Sequence, residues 1–267
     1  MKRAASVAAM VGGVLAVAPF VWMALASVSR QEDLLAFPPR VFTLEPRWSN
    51  YTEIGKYLPV GTLAANSAFV AVAITAIEVS VGAIAAFAFA RLRFPARETI
   101  FRLFVVTLLL PGQVTIIPNF VLLRLFGWLD SYVGLIVPPA FAAFAVFYLR
   151  QQFLSMPADI ESAARADGCG WFGVLARITV PIHAPAIATI AVLTFIAQWN
   201  AFLWPLIIAR SESLWTITIG LRHLVDIVGT RYEILMAATS IAALPPIALY
   251  LVARRFIGTD ITSSALR

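Results

Sequence analysis

Glu78 is the only charged residue in a run of uncharged, mostly apolar residues that extends from Asn66 to Ala90. A carboxylate in such a run is costly unless it is protonated, paired or facing water. It reads as a relay or pathway acid that meets a passing solute, or as a neutral, hydrogen-bonded acid on an interhelical face with Thr75 and Ser80 nearby in sequence. Because the other apolar runs offer no partner cation, the second reading asks for less. Gln113 and Asn119 lie where Pro111-Gly112 and Pro118 interrupt another apolar run, freeing carbonyls that side chains, neighbouring helices or cavity water must satisfy. Such a broken helix lines a pathway or is a packing kink. Gln198 and Asn200 flank Trp199, and Phe202, Trp204 and Pro205 follow. Aromatic faces beside amides suit a sugar, whose ring stacks while its hydroxyls hydrogen-bond. They also suit the aromatic belt of a membrane interface, to which Trp204 is assigned.

The elements that must position these groups are apolar helices. Of 267 residues, 61% are hydrophobic and 13% charged, and the mean hydropathy is +0.87. That leaves too little polar surface to cover a soluble globule, so the chain belongs in a membrane. The net charge of +6 does not indicate nucleic acid, because the cations flank apolar runs and form no single stripe. Cys169 is the one cysteine, which excludes an internal disulfide framework and a four-cysteine zinc site. No GxxxxGK[ST], HExxH or GxSxG signature occurs, and no catalytic residue, metal ligand or bound cofactor is expected of this chain.

A bilayer core takes about 20 apolar residues as helix. Runs of that kind predict an all-α integral membrane fold with six transmembrane helices, near 4–29, 66–90, 103–123, 131–149, 184–209 and 234–253. The first follows Lys2 and Arg3 and contains Ala24-Leu25-Ala26, the shape of a signal-peptidase site, but its apolar run is longer than a usual signal sequence allows, so a retained span is expected. Residues 30–65, interrupted by Pro38-Pro39 and Pro46, read as an external loop. Residues 210–233 read as a second external segment with room for an interfacial helix, and His223 within it as solvated. With both termini in the cytoplasm, twelve of the twenty cations fall inside, among them Arg91, Arg93, Arg97, Arg102 and Arg150, the direction the positive-inside rule requires.

This orientation leaves one long polar-containing segment facing the cytoplasm, from Met156 to Pro185. Pro157 suits a first helical turn, Asp159 and Glu161 complement the positive end of that helix, and Gly168 closes it. From Trp171 the apolar positions Trp171, Leu175, Ile178 and Ile182 recur at helical spacing, with Pro181 and Pro185 beyond. The spacing predicts a helix, a glycine turn and a helix between spans four and five, a landing site for a soluble partner.

The segment resembles the signature loop of the membrane permease subunits of ATP-binding-cassette importers, which reads EAA, three residues, G, nine residues, I, one residue, L, P. Ala163-Ala164, Gly168, Ile178 and Pro181 fall at that spacing, with Val180 in the leucine place. Ser162 stands where the glutamate belongs, and Glu161 is one residue earlier, about 100° around a helix. Trp48-Ser49-Asn50-Tyr51, Asn66-Ser67, Leu110-Pro111, Pro118, Asp167-Gly168 and the run Trp199 to Leu206 are similar to the carbohydrate-uptake permeases related to the smaller permease of the maltose importer. The likeness runs from about residue 10 to 258, and the tail Thr262 to Arg267 matches only loosely.

The resemblance implies a single type-1 permease domain over residues 1–267 in a bacterial or archaeal cytoplasmic membrane. It implies a coupling loop at 156–183 in which Glu161, Ala163, Ala164, Asp167, Gly168, Ile178 and Pro181 dock an ATPase. It also implies a second homologous permease, two ATPase subunits that hold ATP and Mg, and an external substrate-binding protein. Glu78, Gln113, Asn119, Gln198 and Asn200 are then candidates for lining the pathway of a disaccharide, oligosaccharide, amino sugar or glycerol phosphodiester. The competing classes are an ion-coupled secondary transporter, for which Glu78 is the only acid offered, and a membrane scaffold that moves no solute.

Overall fold

Helix is the only regular structure among the described residues of the computed structural model, which are 2–38, 40 and 45–264. In hydrocarbon every backbone N–H and C=O must be satisfied within its own segment, and helix does this. Pro39 and residues 265–267 of the tail lie outside the described residues. Three helices are each long and apolar enough to cross a membrane, Ala9–Ser27, Val60–Arg91 and Tyr232–Arg254. Three further stretches reach that standard only as bent pairs. These are Arg97–Leu109 with Gly112–Leu125 at 95°, Tyr132–Ala140 with Ala143–Leu154 at 42°, and Trp171–Ile182 with Ala184–Trp199 at 80°.

Each departure from the expected spans has a local cause. The second helix starts at Val60, not near 66, because the Pro59 carbonyl accepts the Leu63 N–H at 3.1 Å and residues 60–65 carry no charge to stop it. The third stretch is broken between Leu109 and Gly112, where Pro111 has no N–H to give. The fifth ends at Trp199 instead of running to 209, and a separate helix covers Leu203–Ile208. Pro205 would clash with the Ala201 carbonyl in a continuous helix, and the Asn200 side-chain amide turns back onto the Ile196 carbonyl at 2.8 Å.

The chain divides into two compact units. One comprises Met1–Asn66 and Trp215–Pro245. In it the amide of buried Asn50 donates to the carbonyls of Ser27 and Ser29, closing the end of the first helix. The Asn66 amide likewise donates to the Trp215 carbonyl at 2.9 Å. The external segment does contain a helix, Ile217–Val228, whose buried face is Ile217, Ile219, Gly220, Leu224 and Val228. His223 on that helix is not simply solvated, since its ring lies edge-on to Trp215 at 5.0 Å.

The other unit comprises Ser67–Leu214 and Pro246–Arg267. Its core joins one face of the Val60–Arg91 helix, through Ala83, Ala86, Phe87 and Ala90, to Val146, Leu149 and Phe153 of the Ala143–Leu154 helix. Val174 and Leu175, beyond the glycine turn, and Ile190 complete it. Small residues on the long helix allow the close approach, and Gly82 lies directly against Ala145.

Candidate functional site

In the 156–183 stretch a helix, a glycine turn and a second helix follow one another. Pro157 is the extended residue before a helix over Ala158–Ala166. Asp159 and Glu161 occupy its first turn and Arg165 its last. Gly168 has φ +85°, a left-handed conformation that glycine adopts without penalty. The chain then returns, with the Gly168 N–H bonded to the Arg165 carbonyl and the Cys169 N–H to the Ala164 carbonyl. Ala164 is buried in the core, whereas Ser162, Ala163, Asp167 and Gly168 face outward.

The second helix departs from the simple periodicity. Trp171–Val174 is α-helical, Leu175–Thr179 is a π-helix, and Val180–Ile182 is α-helical again. Val174 and Leu175 are buried, and because a π turn inserts one residue and shifts the positions after it by about 100°, Ile178 is only partly buried and Ile182 is exposed. Pro181 follows, and its missing N–H and bulky ring accompany the irregular turn. His183 is buried at the bend, with Nδ1 2.8 Å from the Thr179 carbonyl oxygen and its ring against Phe153.

Two arginines anchor this region. Arg91, the last residue of its helix, donates through Nη2 to the carbonyls of Phe153 and Met156 at 2.5 and 2.6 Å. These carbonyls lie at the end of the Ala143–Leu154 helix and just before Pro157, so one guanidinium fixes where the loop begins. Glu161 lies 3.7 Å from Arg91 Nε, an ion pair outside hydrogen-bond reach. Arg150 donates to Glu98 at 2.7 Å and to the Phe89 carbonyl at 3.2 Å, and its guanidinium rests on the Phe101 ring. The sequence marks these arginines only as orientation signals; their partners stand 52 to 65 residues away, and no periodicity links them.

Glu78 is 6% exposed. Its carboxylate accepts a hydrogen bond from the Thr194 hydroxyl. Thr75, expected nearby, instead donates to the Ala71 carbonyl of its own helix. Glu78 borders a cavity of about 150 Å³ with Gly82, Phe104, Phe141 and Val146. Gln113, Asn119, Gln198 and Asn200 are not among the residues that line this cavity. Gln113 and Asn200 are exposed, while Asn119 and Gln198 are half-buried. Trp204, assigned to an interfacial belt, encloses its indole N–H without an acceptor among the described residues.

Two polar networks outside the long apolar helices hold the ends of the segments. Arg231 donates to Glu53, Tyr57 and Glu233 at 2.9, 2.9 and 3.0 Å. That hydrogen bond from Arg231 holds the Glu53 carboxyl below the usual carboxylate range, and the two acids raise Arg231 above the ordinary arginine value. Separately, Asp130 accepts from the Ser211 hydroxyl and from the backbone N–H groups of Arg210 and Ser211, which lowers its carboxyl in turn.

These helices and the glycine-closed loop describe a component built to lie in a membrane. Residues 78–262 match the family of binding-protein-dependent transport system inner membrane components. The chain belongs to this family. It is 30% identical over 259 residues to the arabinooligosaccharides transport system permease protein AraQ of Halalkalibacterium halodurans, covering 95% of this chain and 92% of that one. It is 31% identical over 261 residues to the sn-glycerol-3-phosphate transport system permease protein UgpE of Yersinia pestis, covering 94% and 93%. A bacterial transporter that imports the acidic polysaccharide alginate contains a chain of the same fold, with a TM-score of 0.84, 22% identity and 95% of both chains covered. The chain is thus a multi-pass permease component and not an enzyme, and the ion-coupled and scaffold readings are not favoured.

Proposed function

We propose that the chain is one of two permease subunits of an ATP-driven importer for a sugar or sugar-like solute. An oligosaccharide or a glycerol phosphate ester is the substrate class its relatives' names support. In this reading each bent pair counts as one span, which gives six, and both termini face the cytoplasm. The Ala158–Ala166 helix then sits in a cleft of a partner ATPase, where ATP and Mg are bound. A second, homologous permease completes the pathway, and an external binding protein delivers the solute.

The observation that carries the proposal is the anchored loop. A nine-residue helix is about 14 Å long at 1.5 Å per residue. Exposed Ala163 keeps its outward face slim, Gly168 ends it sharply, and Asp167 stands beside that turn. Arg91 fixes its start to the Val60–Arg91 helix, and the π turn and the bend at His183 lead from it into Ala184–Trp199. A push on the first helix reaches the segment carrying Gln198 and Asn200 by this route. Glu161 and Ala164 brace the loop from within, while Ile178 and Pro181 set the angle of the second helix.

Uptake by vesicles carrying the assembled complex tests the reading. It should require internal ATP and the binding protein, and it should persist when the proton gradient is collapsed. Uptake that follows the proton gradient without ATP would overturn it. Screening ligands against the cognate binding protein then identifies the solute.

A further inference from the structure

Beside the loop helix lies a cavity of about 890 Å³, within the size range of small-ligand sites. Four guanidiniums line it, those of Arg91, Arg93, Arg97 and Arg165, against one carboxylate, Glu161. Their engagements leave donors over. Arg91 uses Nη2 on two carbonyls, but its Nε–H is buried and hydrogen-bonded to nothing among the described residues. Arg165 rests on the Trp171 ring, 4.1 Å from its centroid. Arg97 reaches the Leu92 carbonyl and Glu98. Arg93 is exposed and makes no hydrogen bond or ion pair among the described residues.

We infer that this cavity binds the phosphate of an anionic phospholipid headgroup. Glu161 stands against Arg91 and Glu98 against Arg97, which leaves Arg93 and Arg165 without a carboxylate, and a phosphate oxygen cluster accepts from several forked guanidiniums at once. The depth fits as well. The Val60–Arg91 helix has 32 residues, about 48 Å at 1.5 Å per residue, against a hydrocarbon core of about 30 Å. The helix therefore overruns the hydrocarbon core, and the proposed orientation puts its last turn, which opens onto the cavity, on the cytoplasmic headgroup side. Trp171 and Leu92 supply an apolar wall for the glycerol and upper acyl chain, for which a free anion has no use. Basic pockets at the cytoplasmic ends of spans are the expected place for such headgroups.

The inference rests on the proposed orientation, and it deepens the coupling reading. A bound phosphate would join Arg91, at the end of one span, to Arg165 on the loop helix, so the lipid would brace the element that meets the ATPase.

The test uses the complete importer in nanodiscs of phosphatidylcholine doped with dioleoylphosphatidylglycerol, released into native mass spectrometry to count retained lipid. Retained phosphatidylglycerol should fall on the order of tenfold in the double variant Arg93→Gln, Arg97→Gln, which loses two of the phosphate donors. It should survive in Arg93→Lys, Arg97→Lys and in the control Arg102→Gln, which lies outside the cavity. Equal retention in wild type and the glutamine variant overturns the proposal, as does displacement of the lipid by millimolar methyl phosphate, which would make the ligand a free phosphate. Cross-linking of an Arg93→Cys variant to the ATPase in lipid-saturated discs would also overturn it, by placing a protein in the cavity. The lipid count is read on the assembled particle whether or not it transports, so failure of uptake alone would count against the importer reading and leave the lipid result standing.

Discussion

Arg91 and Arg231 each gather three partners, yet the partners differ in kind. Arg91 binds two backbone carbonyls and stands near one carboxylate. Arg231 binds two carboxylates and a phenol. A carbonyl does not titrate, so the two Arg91 bonds do not weaken on acidification, whereas the Arg231–Glu53 pair is lost once the Glu53 carboxyl takes up its proton in acid. The first suits an element that must keep one geometry through a working cycle. The second suits a joint whose strength falls in acid.

Removing each arginine tests the contrast, and the hub should show the larger loss. Glu233 is 2% exposed, and in Arg231→Ala its carboxylate is left buried without a cation, which costs about 3 kcal/mol. The purified chain in detergent should then unfold at a clearly lower Tm, and the deficit should shrink as pH falls through the lowered Glu53 value, where the wild type loses that ion pair too. For Arg91→Ala the expectation is about 2 kcal/mol, from two charge-assisted hydrogen bonds, with a deficit that does not change with pH. It should also reduce ATPase co-purification, because the start of the loop helix is no longer fixed. Equal pH responses in the two variants would remove the distinction.

The helices of this molecule were largely legible because apolar length and charge placement are local properties. The Ala158–Ala166 helix, its proline start and its glycine stop were readable for the same reason. The breaks were less so: Pro111 and Pro205 mark them, but a proline does not say whether a helix bends by 42° or by 95°. The register of the second loop helix failed at Ile182, since a π turn leaves no simple periodic trace. The pairings of Arg91, Arg150 and Arg231 were invisible, because each joins residues remote in sequence. Glu78 shows both sides: its need for a partner was evident from composition, but Thr194 as that partner was not.

Gly168→Val sharpens the role of the loop at smaller cost. Nothing lies within 4 Å of the added Cβ, so packing is unaffected, but a β-branched residue at φ +85° is strained by about 1–2 kcal/mol. If the turn orients the docking helix, ATPase co-purification and uptake should fall far more than Tm does. Normal assembly together with normal uptake would remove the docking role from this glycine.

The smallest effect, and the most direct probe of the contrast between the arginines, is the acid response of Glu53. Its carboxyl is held down by Arg231, so its contribution is fully present above the unfolded value of about 4.3 and is lost as pH falls through the lower folded value. Arg231 stays charged throughout, because its own value is raised. Wild-type Tm should therefore decline more steeply below pH about 4 than that of Glu53→Gln, which has no proton to take up at this position. Arg91→Ala should retain the wild-type slope, since Phe153 and Met156 offer it only carbonyl oxygens. A flattened slope in Arg91→Ala would mean that the Glu161 pair, at 3.7 Å, carries more of the clasp than the carbonyl bonds do.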